Sequence, residues 1–382
     1  MLAHHRRSAA PERRRKTVGL CMIVRNESHC ILRCLSSVER LADYFLIVDT
    51  GSTDGTPETV RTFLKDCKLR GEVIEEPWRN FAWNRSHALS ELRKVQDIDY
   101  GFMIDADEVA VIAAGTDIEK LKLHLDQDLY SIPNRHLGII NFRPQLFSNR
   151  LPFEFRGVMH EFIDCGSTFS RGTLNGLSVH SLHDSARNKN PRKYLDDAKI
   201  IETALKDEAD PFMISRYTFY LAQSYRDGGE PQLALDGYLK RAEQGFWDQE
   251  VYISIYSAAA LMEELGSPFE EVLGAYLKAY EIRPDRVEAL HGAARYCRSQ
   301  QKFHTAYMLA RQGLTIKPPA DALFLYRWMY GYGILDEYAV AAYWTRNYSE
   351  CADACRKLLR LPDLPDGYRE RIQQNLDFAT AN

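Results

Sequence analysis

Hydrophobic positions along this chain follow two different periods, and the change from one to the other divides it. From Val18 to about Asp107, short apolar runs alternate with amphipathic stretches. Val18–Val24, Tyr44–Val48, Val73-Ile74 and Tyr100–Ile104 read as short buried strands. Ser28–Arg40, a segment opening at Thr56-Pro57-Glu58, and Phe81–Val95 read as the helices between them. The opening at Thr56 has a capping residue, a proline at the first helical position and an acid in the first turn. Strand–helix alternation of this kind predicts a parallel sheet covered on both faces. Residues 129–184 then change to short β-like pieces, Leu137–Phe147, Val158–Ile163 and Leu177–His180, expected to extend the sheet and wall a site.

After about Lys193 the strand signal disappears and helical periodicity takes over. Ala275–Pro284 and Ala310–Pro318 match each other, with their prolines 34 residues apart, the tetratricopeptide period. Small residues at Ala258–Ala260 and Gly292–Ala294 would let paired helices approach closely. Less regular units fall at about 212–246 and 321–361, the last with a longer first helix. A short helical solenoid follows, with a plain helical bundle as the alternative. The expected division is a basic tail at 1–16, an α/β domain at 17–190 and a helical repeat domain at 191–382.

Composition narrows the choice of partners. The 382 residues allow two domains, and a net charge of −4 offers no electrostatic reason to expect nucleic acid or an anionic membrane. The basic block before Thr17 has no apolar region behind it, so it reads as a solvated tail and not a secretory signal. No run approaches the roughly 18 apolar residues needed to span a bilayer. The eight cysteines include no C-x-x-C pair and no zinc spacing, which fits a reduced, cytoplasmic protein.

Two of the strands end in acids. Tyr44–Val48 runs into Asp49-Thr-Gly-Ser52-Thr-Asp54, and Tyr100–Ile104 into Asp105-Ala-Asp107-Glu108. Carboxylates delivered to the rim of a sheet repel one another unless a cation sits among them. Hard divalent ions such as Mg²⁺ or Mn²⁺ take oxygen ligands and commonly hold substrate phosphates as well. Three chemistries compete for such a site. A phosphatase of the haloacid-dehalogenase kind would need its nucleophilic aspartate on the first strand, whereas Asp105 follows the fourth. Nucleotidyl transfer usually needs a glycine-rich loop after the first strand, where this chain has Arg25-Asn26-Glu27. Glycosyl transfer from a nucleoside-diphosphate sugar needs an acid for the nucleoside, a D-x-D cluster for the metal and a base for the acceptor. Candidates for all three are present.

Four ordered motifs carry a resemblance: Met22-Ile-Val-Arg25-Asn26-Glu27; Ile47-Val-Asp49-Thr-Gly-Ser52-Thr-Asp54-Gly-Thr56; Trp78-x-Asn80-Phe81-Ala82-x-Asn84-Arg85; and Ile104-Asp105-Ala-Asp107-Glu108. Together they resemble the inverting family-2 glycosyltransferases, nearest the branch with C-terminal tetratricopeptide repeats that includes peptide S-glycosyltransferases. The resemblance covers residues 17–184 well and the repeats loosely. It implies a GT-A fold (an α/β, Rossmann-like mixed sheet) followed by an all-α repeat domain. It also implies a nucleotide-sugar donor, a UDP-sugar first among them, and a divalent metal, Mn²⁺ or Mg²⁺.

Carried over by motif, Asp49 would contact nucleobase or ribose, Asp105 would lie near ribose and metal, and Asp107 would ligate the metal with His183 completing its shell. Arg25, Asn26, Glu27, Ser52, Asp54 and Arg85 would belong to the donor site, and Trp78, Phe81 and Trp83 would line it or form core. Glu161 and His160 are rival candidates for the base that deprotonates the acceptor. The repeats would present a peptide, protein or glycan acceptor, or would dimerise. A different class of function, an interaction scaffold with an inactive first domain, is the alternative that the intact acids oppose.

Overall fold

β1 (Val18–Val24) has six of its seven residues buried, as a strand covered on both faces requires. It pairs in parallel with β2 (Tyr44–Asp49) on one side and β4 (Tyr100–Met103) on the other, while β3 (Gly71–Glu75) flanks β2. The crossovers are α1 (Ile31–Val38), α2 (Thr56–Asp66) and α3 (Phe81–Arg93). The chain thus steps outward from β1 to β3 and returns to pair β4 with the opposite edge of β1. At such a reversal the strand ends open a crevice, the usual ligand position in α/β sheets.

The computed structural model describes residues 14–136, 139–182, 184–319 and 323–381, and the chain divides into two units at Lys193/Tyr194. In the first unit the sheet continues beyond β4 through β7 (Ile139–Ser148), β6 (Leu129–His136), β11 (Leu177–Ser181) and β5 (Glu108–Ile112). β10 (Arg171–Thr173) pairs with β6. The pairs β4–β7, β6–β7 and β5–β11 are antiparallel, so the sheet is mixed, as the resemblance implied. A separate hairpin joins β8 (Glu154–Arg156) to β9 (Phe162–Asp164).

Several elements differ from the sequence reading. β5 starts inside the acidic cluster, and it is held by pairing with β11 alone. β6 and α4 (Ile118–Leu123) were not expected. Residues 158–161, read as part of a strand, instead form the connection between β8 and β9, with Gly157 at φ 104° and His160 at φ 51°. Arg14 and Arg15 are part of the folded unit: Arg14 pairs with Asp99, and Arg15 with Asp43 and Glu119. The tail expectation otherwise falls on residues 1–13, outside the described residues.

α3 lies unusually close to the sheet. A Cβ on Gly19 would come within 2.7 Å of Leu92, and one on Gly101 within 2.9 Å of the same side chain. Glycine at these two strand positions lets the helix settle onto β1 and β4. Asn80 caps the helix by accepting from the Trp83 amide at 2.8 Å.

The second unit is helical: α5 (Lys193–Asp207), then the antiparallel pairs α6 (Pro211–Asp227) with α7 (Pro231–Ala242), α8 (Asp248–Glu264) with α9 (Phe269–Ile282), and α10 (Glu288–Ser299) with α11 (Phe303–Gly313). α12 (Ile334–Trp344), α13 (Tyr348–Leu359) and α14 (Asp366–Thr380) complete it. The small residues do what their pattern predicts. A Cβ on Gly292 would stand 2.4 Å from the Tyr276 ring, and one on Gly237 would stand 2.9 Å from Ala222. The longer first helix expected in the last unit is present as a continuous helical run over 327–344. Residues 323–326 are non-helical, and a π-helical turn at Met329–Gly333 leads into α12.

Candidate functional site

A cavity of about 550 Å³ opens at the carboxyl ends of β1, β2 and β4. Its wall is set by two loops stapled to each other. Asn26 (φ 59°) accepts from the Thr53 amide through its side chain at 2.8 Å, while its own amide donates to Ser52 Oγ at 2.8 Å. Asp54 accepts from the Ser28 amide at 3.0 Å and from Thr56 Oγ1 at 2.6 Å. Burial pushes the Asp54 carboxyl up, yet these hydrogen bonds outweigh it and hold it down at about 2. The side chains of Asn26, Ser52 and Asp54 therefore fasten the loop after β1 to the loop after β2. Asn26 and Glu27 line the cavity, as does exposed Arg25, which makes no ion pair among the described residues.

Asp49 ends β2 just behind this wall, and its neighbour Thr50 lines the cavity. One carboxylate oxygen accepts from the Gly51 and Ser52 amides at 3.1 and 2.9 Å. The other is buried without a hydrogen-bond partner. A buried acceptor left unpaired is costly, so this oxygen is a natural receiver for a ligand N–H or O–H.

Asp105, Asp107 and Glu108 come to the same wall. Asp105 accepts from Arg85 at 2.7 Å and lies 3.6 Å from Arg143, which also pairs with Glu108. Guanidinium groups are thus the cations among the crowded acids, a role the sequence reading gave to a metal alone. Burial raises the Asp105 carboxyl, but Arg85 and Arg143 overcome it and hold it below its ordinary value. Glu108, more deeply buried and facing the Asp105 charge, is pushed up despite Arg143. Asp107 accepts a 3.3 Å bond from the Ser185 amide.

Arg85 connects two groups of candidates. Its Nε stands 2.8 Å from Glu161, so the carboxylate of the β8–β9 loop meets the same guanidinium as Asp105. His160 precedes it in that loop and is exposed. Trp78 and Phe81 line the cavity with their rings 4.8 Å apart, edge to face. Trp83 is not part of that wall. It stacks on His87 and carries the Arg79 guanidinium at 3.8 Å.

Arg143 and Arg187 are the charged cavity residues that sequence reasoning missed, and Ser181 and Ser185 were missed beside them. Arg143 sits in a strand otherwise rich in apolar residues, a signal that could have marked it. Arg187, on a short 3₁₀ turn, lies over the Phe81 ring at 4.7 Å, and nothing local in the sequence announces that contact.

Asp105 and Asp107 supply hard oxygen donors to the cavity, which suits a divalent ion of the Mg²⁺ or Mn²⁺ kind. His183, the further ligand expected, lies outside the described residues. Glu27, His29 and Cys30 also come close together, but Cys30 donates to Glu27 at 3.2 Å, and burial with that bond pushes its thiol up to about 12. That trio is a hydrogen-bonded packing of α1 and its loop.

Residues 20–167 match the family described as Glycosyl transferase family 2, so the first unit carries a domain of that family. A TPR repeat-containing protein of Synechococcus elongatus is 29% identical over 155 residues, 38% of this chain and 35% of that protein. The lipopolysaccharide core biosynthesis glycosyltransferase LpsC of Rhizobium meliloti is 37% identical over 87 residues, 23% of this chain and 30% of that one. An uncharacterized glycosyltransferase of Rickettsia prowazekii is 31% identical over 115 residues, 30% of this chain and 36% of that one. The matches span about a third of the length of these curated relatives. Among solved structures, a thermophilic TPR protein of Thermus thermophilus aligns with 48% of this chain and 91% of its own, at 15% identity and a TM-score of 0.33.

Proposed function

We propose that this protein transfers a sugar from a nucleoside-diphosphate sugar to an acceptor nucleophile, with inversion at the anomeric carbon and with a divalent metal. The observation that carries the reading is a single cavity at the ends of β1, β2 and β4 that combines Asp105 and Asp107 with Arg25, Arg85, Arg143 and Arg187. Acids for an ion and guanidiniums for phosphate oxygens are what a diphosphate leaving group requires.

In this reading the unpaired oxygen of Asp49 receives the nucleoside, and the Asn26–Ser52–Asp54 staple holds the wall that shapes it. Asp107, with Asp105 beside it and His183 as a further ligand, would hold the ion. When bound, the ion offsets charge on the departing diphosphate. Arg85 fixes Asp105 and Glu161 in one geometry, and Arg25 and Arg187 face the phosphates. Glu161 or His160 takes the acceptor proton as the nucleophile attacks from the face opposite the diphosphate. A UDP-sugar is the first donor to try. A peptide, protein or glycan is the acceptor, recognised through the helical repeats, and the likeness to a lipopolysaccharide core enzyme supports a saccharide among them. Among the described residues no helix is long and apolar enough to cross a membrane, which is consistent with a cytoplasmic enzyme.

A screen of nucleotide sugars with Mn²⁺ or Mg²⁺, read by released nucleoside diphosphate, tests the proposal. Ion-dependent release from at least one donor is expected, with the anomeric configuration of the product inverted by NMR. Release from none, together with no thermal stabilisation by any nucleoside diphosphate plus ion, would leave the scaffold reading in its place.

A further inference from the structure

In the second unit the segment after α11 is tied onto first helices of the repeat pairs by its backbone. Arg286, fully buried, donates to the carbonyls of Leu323 and Phe324 at 2.7 and 3.3 Å. Gln249 accepts from the Leu323 amide at 3.0 Å, and Glu288 from the Tyr326 amide at 3.2 Å. Phe324 stacks on Phe219 of α6, and Tyr326 meets Tyr256 of α8. The segment runs on to Trp328, whose ring helps to wall a cavity of about 500 Å³ between α10, the π-helical turn, α12 and α14.

Two polar groups at this cavity lack partners. His291 is only 5% exposed, and its ring nitrogens have no hydrogen-bond partner among the described residues. Burial, reinforced by Arg295, lowers its pKa to about 4, so the neutral ring offers one donor and one acceptor. Asp336 holds Arg371 with one oxygen at 2.7 Å, while its other oxygen is buried and unpaired. The surroundings are fitted closely. A Cβ on Gly333 would come within 2.8 Å of Trp328 and 3.2 Å of His291 Nε2, so only glycine lets both rings meet the π-helical turn.

The charges at the cavity select the ligand. Each of its guanidiniums already has a carboxylate: Arg298 with Glu337, Arg371 with Asp336, and Arg295 with Glu263. An anion would have to displace one of these acids, and a cation would meet three guanidiniums. A neutral ligand rich in hydroxyls satisfies both orphaned groups without breaking a pair. Its C–H faces can lie against the aromatic rings of Trp328 and Tyr332, which are 5.6 Å apart.

We propose that this cavity is a binding site for a neutral saccharide, with Asp336 and His291 receiving its hydroxyls and Trp328 its apolar face. The inference rests on the residues of this unit and not on the transfer reaction proposed above.

The test applies the full chain to an array of neutral gluco-, galacto- and manno-oligosaccharides, beside arrays of acidic and basic peptides. Binding to at least one neutral oligosaccharide is expected. It should weaken about tenfold in Asp336→Asn, the loss typical of a hydrogen bond to a charged group, and comparably in Trp328→Ala. Asp336→Asn preserves volume, and its melting curve checks that the unit stays folded. Asp107→Ala, in the first unit, should retain the binding. No saccharide binding, binding undiminished in both cavity variants, binding lost in Asp107→Ala, or selective binding of a charged peptide in place of saccharide would each overturn the proposal.

Discussion

The two units treat buried charge in opposite ways. In the second unit Arg286 and Glu288 are both 0% exposed and are spent on each other and on the backbone of Leu323, Phe324 and Tyr326. Arg241, also fully buried, pairs with Glu250 and the carbonyl of Gly245. In the first unit Asp105 and Arg143 pair while their side chains remain 32% and 41% exposed at the wall of a cavity. Opposite charges sealed from water fix a fold. Paired charges that still face a cavity are available to a ligand, since a bound ion or phosphate can rearrange them at little desolvation cost.

Four measurements would break or sharpen that contrast. The largest effect is expected at the cavity of the first unit, where Asp107→Ala should lower turnover by about 10²–10³-fold. Its unfolding free energy should change by about 1–2 kcal/mol, the loss of a weak hydrogen bond from the Ser185 amide, and by less than in the next variant. Arg286→Ala should do the reverse. Leaving Glu288 buried and unpaired should cost about 3–5 kcal/mol in denaturant unfolding, with nucleoside-diphosphate binding retained at temperatures where the protein is folded. If the two variants melted alike, the distinction between the two kinds of pair would fail.

A smaller effect is set by pH. His291 is neutral in the fold and has its pKa lowered to about 4, against an ordinary value near 6.5. The unfolded chain therefore binds the extra proton first. Stability from this group is complete above about pH 6.5 and declines as pH falls toward 4, by up to about 3 kcal/mol. Chemical unfolding of wild type and His291→Gln across that range should show the slope reduced in the variant. The smallest effect concerns the close approach of α3. Gly19→Ala would press a methyl against Leu92 and should cost about 1–3 kcal/mol by thermal unfolding, with donor affinity falling as Arg85 shifts.

The strands at 18–24, 44–49 and 100–103 and the crossover helices were legible because burial on both faces writes a continuous apolar run. The acids at their ends were legible for the same reason, since each follows a run that must stop at the rim. The 34-residue repeat was equally visible, because each helix pair needs its small residues at fixed intervals. β5 and the non-helical segment at 323–326 were not visible. β5 is an edge strand held by one neighbour, and residues 323–326 are held by side chains from α8 and α10, whose effect no local pattern records.

Residue identity and periodicity thus determined the order of elements from β1 to β4, the change from strands to helices along the chain and which acids follow the strand runs. Tertiary structure alone decided that Arg143, 38 positions beyond Asp105, would neutralise it, that Glu161 would share Arg85, and that one oxygen of Asp49 would stay unpaired. The reason is range. Hydrophobic period acts between neighbours along the chain, whereas an ion pair requires only closeness in space, and closeness is set after the sheet and helices have assembled.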